Sequence, residues 1–396
     1  MKRYIIIAAA ALIAVSCAKQ FDVGTTSEQT IGFGTWTETL TKARTQGSGT
    51  FTVGDDFAVY GSKIVTSPAS TTTVFNDDVV SMTAAGVPGT WTYSHTRYWD
   101  QNTDSYVFYA ISPATVGTQA DGTNGSTDVS PSTGAFVTRA ITFAGKDNDI
   151  LVADKETVLQ AAYGTTVELD FNHVASLVDF RVAKAGTLRD ATVKITGFTL
   201  GNIQNVGKLT VNSNYNAAVY GGTNGPVATW SNDGTGSYVP ASGVTDVKGD
   251  DDNDISDEHP LTIVEDTNFS VPAEPTDGNS TMVINNLIVK PQTFVEPTDR
   301  ANPANASNST AQKLTISYTI TTTDANSGTS TNTYESTLWR YDFDVINDRD
   351  QEDTKVASWD TGEHYTFYIT IDSKPIVYGA RVNDWTVGTG YHYLLN

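Results

Sequence analysis

At 396 residues the chain is long enough for two domains of ordinary size, and 24 Lys and Arg against 45 Asp and Glu give it a formal net charge of -21 at pH 7. So acidic a surface repels nucleic acid and anionic membrane faces, which argues against a nucleic-acid partner and says nothing of the fold. One cysteine excludes an internal disulfide, so stability must come from packing.

The chain opens with a basic pair, Lys2 and Arg3, and an apolar stretch from Tyr4 to Val15. That stretch falls short of the ~20 apolar residues a membrane span needs. It ends in Ala14-Val15-Ser16-Cys17, small residues followed by the one cysteine. The pattern is that of a removable signal peptide over residues 1–16, with Cys17 placed where a thiol would take a lipid and become the new N-terminus. Cutting there leaves 22 basic and 45 acidic side chains, a net charge of -23.

Beyond the leader, helical periodicity is nearly absent. Apolar and polar residues alternate over short runs rich in Val, Ile, Thr, Tyr and Phe, separated by Gly, Asn, Asp, Ser and Pro. In chain order the predicted strands include Gln29–Leu40, Phe57–Tyr60, Tyr106–Tyr109, Thr166–Phe171, Leu177–Val182 and Thr192–Leu200. Leu314–Thr322 and Thr333–Trp339, joined through Asp324-Ala-Asn-Ser-Gly328, read as a hairpin, and Tyr365–Ile371 follows. Short strands with polar turns and one wet face predict antiparallel sandwiches. Gly117–Gly134, Asp246–Glu258 and Asp299–Gln312 read as surface loops, and a domain boundary is expected near Gly164, giving segments 45–163 and 164–396. The tail from Ile376 to Asn396 is apolar and aromatic, so it is either packed in its own domain or donated to another.

Catalytic signatures are missing. The five histidines (His95, His173, His259, His364, His392) are scattered without metal-ligand spacing, and neither a nucleophile elbow nor a phosphate loop occurs. Asp250, Asp252 and Asp254 have the first spacings of a calcium loop, but Ile255 stands where its glycine is needed, so a solvated acidic loop is the better reading. No enzyme, metal or cofactor is expected. Aromatic residues at alternating strand positions are read as core, with a sugar-stacking platform as the alternative.

Several phrases in order resemble the fimbrillin family of lipoprotein pilus subunits: Ile31-Gly-Phe33, Phe51–Tyr60, Trp91-Thr-Tyr93 with Arg97-Tyr-Trp99, and Tyr106–Pro113. Asp149–Ala153, Val167–His173, Leu287-Ile-Val-Lys-Pro-Gln292, Trp359-Asp-Thr-Gly-Glu-His-Tyr365 and Val382-Asn-Asp-Trp385 complete the series. The resemblance implies an all-β protein of two transthyretin-like antiparallel β-sandwich domains in tandem. It implies a precursor lipidated at Cys17 in the outer membrane, whose segment 17–44 carries an occluding strand, and an extracellular protease of trypsin-like specificity cutting after Arg44. A neighbouring subunit's C-terminal strand would then insert, here Trp385 to Leu395 with Val387, Tyr391 and Tyr393 among its apolar residues, and a surface fimbria would grow. The partners so implied are other copies or related pilin subunits, the protease, and a host or bacterial surface ligand. A glycan-binding surface lipoprotein and an uncleaved fimbrial anchor remain as alternatives.

Overall fold

The computed structural model describes residues 29–36, 51–85, 89–116, 136–138, 140–143, 145, 149–211, 228–238, 250, 252–253, 255–263, 280–324, 328–340, 356–372 and 377–384. Its regular elements are strands with a few short 3-10 turns. The first half holds β1 (Gly32–Trp36), β2 (Asp56–Thr66), β3 (Ala69–Ala84), β4 (Thr90–Tyr93), β5 (Ser105–Ser112), β6 (Phe136–Val137), β7 (Ile141–Thr142), β8 (Leu151–Ala153), β9 (Glu156–Leu159) and β10 (Thr166–His173). The second half holds β11 (Ser176–Lys184), β12 (Ala191–Gly207), β13 (Leu209–Val211), β14 (Ala228–Trp230), β15 (Gly234–Tyr238), β16 (Leu261–Thr262), β17 (Thr281–Val289) and β18 (Gln292–Thr293). It closes with β19 (Lys313–Asp324), β20 (Gly328–Trp339), β21 (Ser358–Trp359), β22 (Glu363–Ile371) and β23 (Val377–Asp384). Every run predicted from alternation between Phe57 and Ile371 lies in a strand, because a period of two is imposed by the local pleat.

The first sheet has the order β1-β10-β8-β5-β2-β3-β4, with β9 also paired to β5. Its inner face gathers an aromatic core that includes Phe33, Phe57, Phe75, Trp91, Phe108 and Phe171. The later strands build a four-stranded sheet, β17-β11-β22-β23, and a sheet ordered β15-β12-β19-β20, with smaller sheets alongside. A second apolar core lies among these, drawing on Phe180, Val193, Phe198, Leu287, Ile316 and Phe367. The predicted hairpin is β19–β20, in unbroken antiparallel register from Lys313↔Trp339 to Asp324↔Gly328.

Three features go beyond what the alternation pattern specified. First, the central strands have no wet face. In β5, Tyr106, Phe108 and Ala110 enter the first core, whereas Val107, Tyr109 and Ile111 enter the second. β2 divides in the same way, Phe57 and Val59 against Ala58 and Tyr60, so the first sheet is covered on both faces there and the two cores adjoin across it. Second, pairing is not wholly antiparallel: β1 runs parallel to β10, and β11 runs parallel to β22. Third, the stretch beyond Gly164 still belongs to the first sheet, since β10 pairs with β1 and β8 and buries Val167, Leu169 and Phe171 in the first core. The change of core falls after His173, where Val174 and Ala175 already belong to the second.

The stretch Asp299–Gln312 is a loop, but one held from inside. Asn308 is buried, its Oδ1 accepts from the Thr298 and Asp299 amides at 2.8 and 3.0 Å, and its Nδ2 donates to the Asp299 and Asn302 carbonyls at 2.7 and 3.1 Å. A buried side-chain amide with both ends satisfied fixes a loop much as a strand partner would.

Candidate functional site: the first strand and its groove

β1 lies in register with β10 from Gly32↔Thr166 to Trp36↔Asp170. Its other side meets the segment after β4. The Ile31 amide donates to the Arg97 carbonyl at 2.9 Å, the Trp99 amide donates to the Gln29 carbonyl at 2.9 Å, and Thr30 bridges Tyr98. The Tyr93 hydroxyl donates to the Ile31 carbonyl at 2.6 Å and accepts from the Arg97 amide at 3.2 Å. Arg97 in turn donates to the Val74 carbonyl at 3.1 Å and pairs with Asp78 at 3.4 Å. β1 therefore closes the gap between the two ends of the first sheet, which would otherwise expose unpaired edges.

Side chains seat it as firmly as the backbone does. Ile31 and Phe33, two apart and thus on one face, are 1% and 5% exposed. The Phe33 ring stands edge-on to Phe57, Phe75, Tyr93 and Phe108, with centroids 6.1, 5.3, 5.7 and 5.7 Å away. Gly34 permits the close approach to β10: a Cβ there would lie 2.9 Å from Glu168 Oε2. Gly164, at φ +88°, holds the turn before β10 against the Gln29 side chain. Burial raises the carboxyl pKa of Glu156 on neighbouring β9, and Glu168 adds to the effect.

Of the segment Gln29–Leu40, residues 29–36 run along β10 and the stretch after β4, while its second half, with Leu40, lies outside the described residues. Cys17, Arg44, Trp385, Val387, Tyr391, Tyr393 and Leu395 also lie outside them. At the other end, Val377–Asp384 pairs antiparallel with β22, so the first part of the apolar tail forms the edge of its own sheet. Tyr93, Arg97 and Gly164 complete the groove and were not singled out for it. Tyr93 and Arg97 stand in the phrase read as aromatic core, and nothing local to that phrase announces which backbone the Tyr93 hydroxyl meets.

Other ionisable groups serve the frame. His173 Nδ1 lies 2.8 Å from Asp149 Oδ1 with both side chains buried, and His364 Nε2 lies 2.8 Å from Asp179 Oδ2. The acidic loop is tied down by Asp250, which takes the Lys194 ammonium at 2.8 Å and the Thr262 amide and hydroxyl at 2.8 and 2.6 Å. Partial burial opposes ionisation of Asp250, but these donors outweigh it and hold the carboxyl at about 2. Arg340, fully buried, lies over the Phe294 and Phe367 rings at 4.3 and 4.0 Å, and desolvation lowers it to about 9. Lys290 is 0% exposed, and burial lowers it to about 8. Its ammonium donates to the Ser231 carbonyl at 2.8 Å, to Gln204 Oε1 at 3.4 Å, and to Asn232 Oδ1. Among the described residues no group of three or more His, Cys, Asp or Glu is placed to hold a metal.

The regular elements among the described residues are thus nearly all strands, and β1, from the N-terminal side, completes the first sheet. The fimbrillin-like family profile matches residues 41–385, and the chain belongs to that family. No curated protein matches the sequence. Similar solved structures include a fimbrial protein from Bacteroides vulgatus, at 17% identity over 90% of this chain and 99% of that one, with a TM-score of 0.48. A candidate cell adhesion protein from Bacteroides uniformis shares 17% identity over 90% of this chain and 98% of that one, TM-score 0.45. The tip fimbrial protein Mfa3 from Porphyromonas gingivalis, with a C-terminal truncation, shares 10% identity over 84% and 95%, TM-score 0.30.

Proposed function

We propose that this chain is a non-catalytic fimbrial subunit with an adhesive role, exported as a lipoprotein through Cys17, and that β1 is a provisional occupant of its groove. In this reading a protease of trypsin-like specificity cuts after Arg44, eight residues past Trp36, and β1 leaves. The groove, lined by Phe57, Phe75, Tyr93 and Phe108, then takes a strand from a neighbouring subunit. The donor is the segment from Trp385 to Leu395, with Val387, Tyr391 and Tyr393 among its apolar residues, which directly follows the edge strand β23. Main-chain hydrogen bonds would supply affinity and pockets for alternate side chains would supply specificity.

The observation that carries this reading is the placement of β1. It fills the sheet gap with two buried side chains, and the basic site at Lys42-Ala-Arg44 follows in sequence. Mild trypsin digestion of residues 18–396, followed by intact mass and size-exclusion analysis, tests it. An early cut after Arg44 that yields ladders of oligomers, lost when residues 386–396 are deleted, is the expected result. A chain that is cut there and stays monomeric overturns polymerisation by strand insertion. Resistance to cutting favours the uncleaved anchor.

A further inference from the structure

Two phrases far apart in sequence meet in the second half of the fold. β18 pairs with β21 in the register Gln292↔Trp359 and Thr293↔Ser358, which brings Lys290-Pro-Gln292 against Trp359-Asp-Thr361. Between them, β14 and the turn after it lies a cleft of about 470 Å³, within the ~300–1,000 Å³ of small-ligand sites. Nothing in the proposed strand exchange uses it.

The chemistry of its lining is specific. Lys290, beneath the cleft, can only donate, so the atoms of Gln204 and Asn232 facing its ammonium are carbonyl oxygens. The ammonium therefore fixes both amides and turns their NH2 groups away from itself. Asp360 is oriented as well: its Oδ1 accepts from the Ser358 hydroxyl at 2.8 Å, and its Oδ2 from the Tyr365 hydroxyl at 3.4 Å. Trp230 forms a half-exposed wall, held by its indole N–H on the Val174 carbonyl at 2.8 Å and by the edge-on Phe143 ring at 5.2 Å. Trp359 also lines the cleft, is 1% exposed, and its indole N–H has no acceptor among the described residues. Among the described residues that line the cleft, Asp360 is the only charged one.

We infer that this cleft binds an uncharged saccharide unit, with the C–H face of the sugar ring on Trp230 and its hydroxyls on Asp360, Gln204 and Asn232. A sugar hydroxyl both donates and accepts, matching a carboxylate beside two fixed amide donors. An indole face covers the apolar side of a pyranose ring, as it covers other apolar surface. An anionic ligand would meet the Asp360 carboxylate in a chain of net charge -21, and the Lys290 ammonium beneath the cleft is already engaged by three oxygen acceptors. The inference gives the adhesive role a ligand class, and it requires neither cleavage at Arg44 nor polymerisation.

The test uses the intact, uncut full chain and follows tryptophan fluorescence and saturation-transfer NMR. The probes are uncharged methyl glycosides and short oligosaccharides of glucose, galactose, mannose and N-acetylglucosamine, a sialylated oligosaccharide, and a basic peptide. Saturable binding of an uncharged saccharide is expected. Asp360→Asn should weaken it about tenfold, the scale of one hydrogen bond to a charged group. Trp230→Phe should weaken it as well, and Tyr334→Ala on the exposed hairpin should leave it unchanged. Thermal unfolding shows whether each variant is folded, and Asn232→Asp, at an exposed position, keeps an oxygen for the Lys290 ammonium while removing the NH2 donor to the sugar. The proposal is overturned if no uncharged saccharide binds, if only the sialylated sugar or the peptide binds, or if binding survives both Asp360→Asn and Asn232→Asp unchanged. Because the uncut chain is used, failure here leaves strand exchange untouched, and a monomer that binds sugar would retain the cleft while losing the polymer.

Discussion

Replacing Phe33 with alanine should loosen β1 without unfolding the rest of the protein. The ring is 5% exposed and contacts four aromatic neighbours, three of which, Phe57, Phe75 and Phe108, are completely buried. Truncating a buried phenylalanine costs about 3–5 kcal/mol, and the cavity is left between β1 and the strands that face it. The backbone bonds of β1 remain, each worth ~1 kcal/mol net, but they alone do not hold a five-residue edge strand. At about 1.4 kcal/mol per factor of ten, local opening of β1 should become roughly 10²–10⁴ times more frequent. Hydrogen exchange read by mass spectrometry on peptides spanning 29–36 and 166–170 measures that directly. Phe180→Ala, in the second core and stacked on Phe367 at 5.0 Å, is the comparison, since it should lower global stability while β1 keeps its protection relative to β10. If Phe33→Ala lowers protection evenly over the whole chain, or the two variants give the same exchange pattern, β1 is an integral strand and the reasoning fails.

Two other outcomes follow from the same structure. Lys290 titrates at about 8 in the fold against 10.5 in the open chain, so the unfolded state binds more protons between those values and wild-type stability gains with rising pH. Relative to Lys290→Met, urea unfolding should show a wild-type advantage that grows by about 3 kcal/mol from pH 8 to pH 10.5, and a flat difference would refute the buried-ammonium account. Gly164→Ala puts a side chain at φ +88° and a Cβ 2.5 Å from Gln29 Oε1. It should cost about 1–2 kcal/mol in denaturant unfolding and raise exchange at Gln29–Ile31, whereas unchanged exchange there would show that Gln29 moves aside freely.

Much of this architecture was legible in the chain. Alternation located the strands, and the spacing of Ile31 and Phe33 marked a strand with one apolar face. The runs Phe57–Tyr60 and Tyr106–Ile111 carried a further signal: they are apolar at nearly every position, as befits strands covered on both sides, although alternation alone read them as half-wet. The site was legible only in part. The residues of β1 could be found, but not Tyr93, Arg97 or Gly164 as its clamps, because a clamp is defined by what it reaches. Tyr93 meets the Ile31 carbonyl across 62 positions, and no local pattern encodes that separation.

The sequence by itself determined the strand content, the β19–β20 hairpin, the acidic surface and the family phrases, since each rests on pleat periodicity, turn chemistry, charge or composition read within a few residues. Only the tertiary structure decided that β1 runs parallel to β10, that one sheet divides its two faces between two cores, and that Lys290-Pro-Gln292 meets Trp359-Asp-Thr361 around a cleft. The reason is physical. A strand's existence is set by its own side chains, but its partner is chosen by which long-range pairing buries most apolar surface while leaving no buried edge unpaired, and that choice belongs to the whole chain.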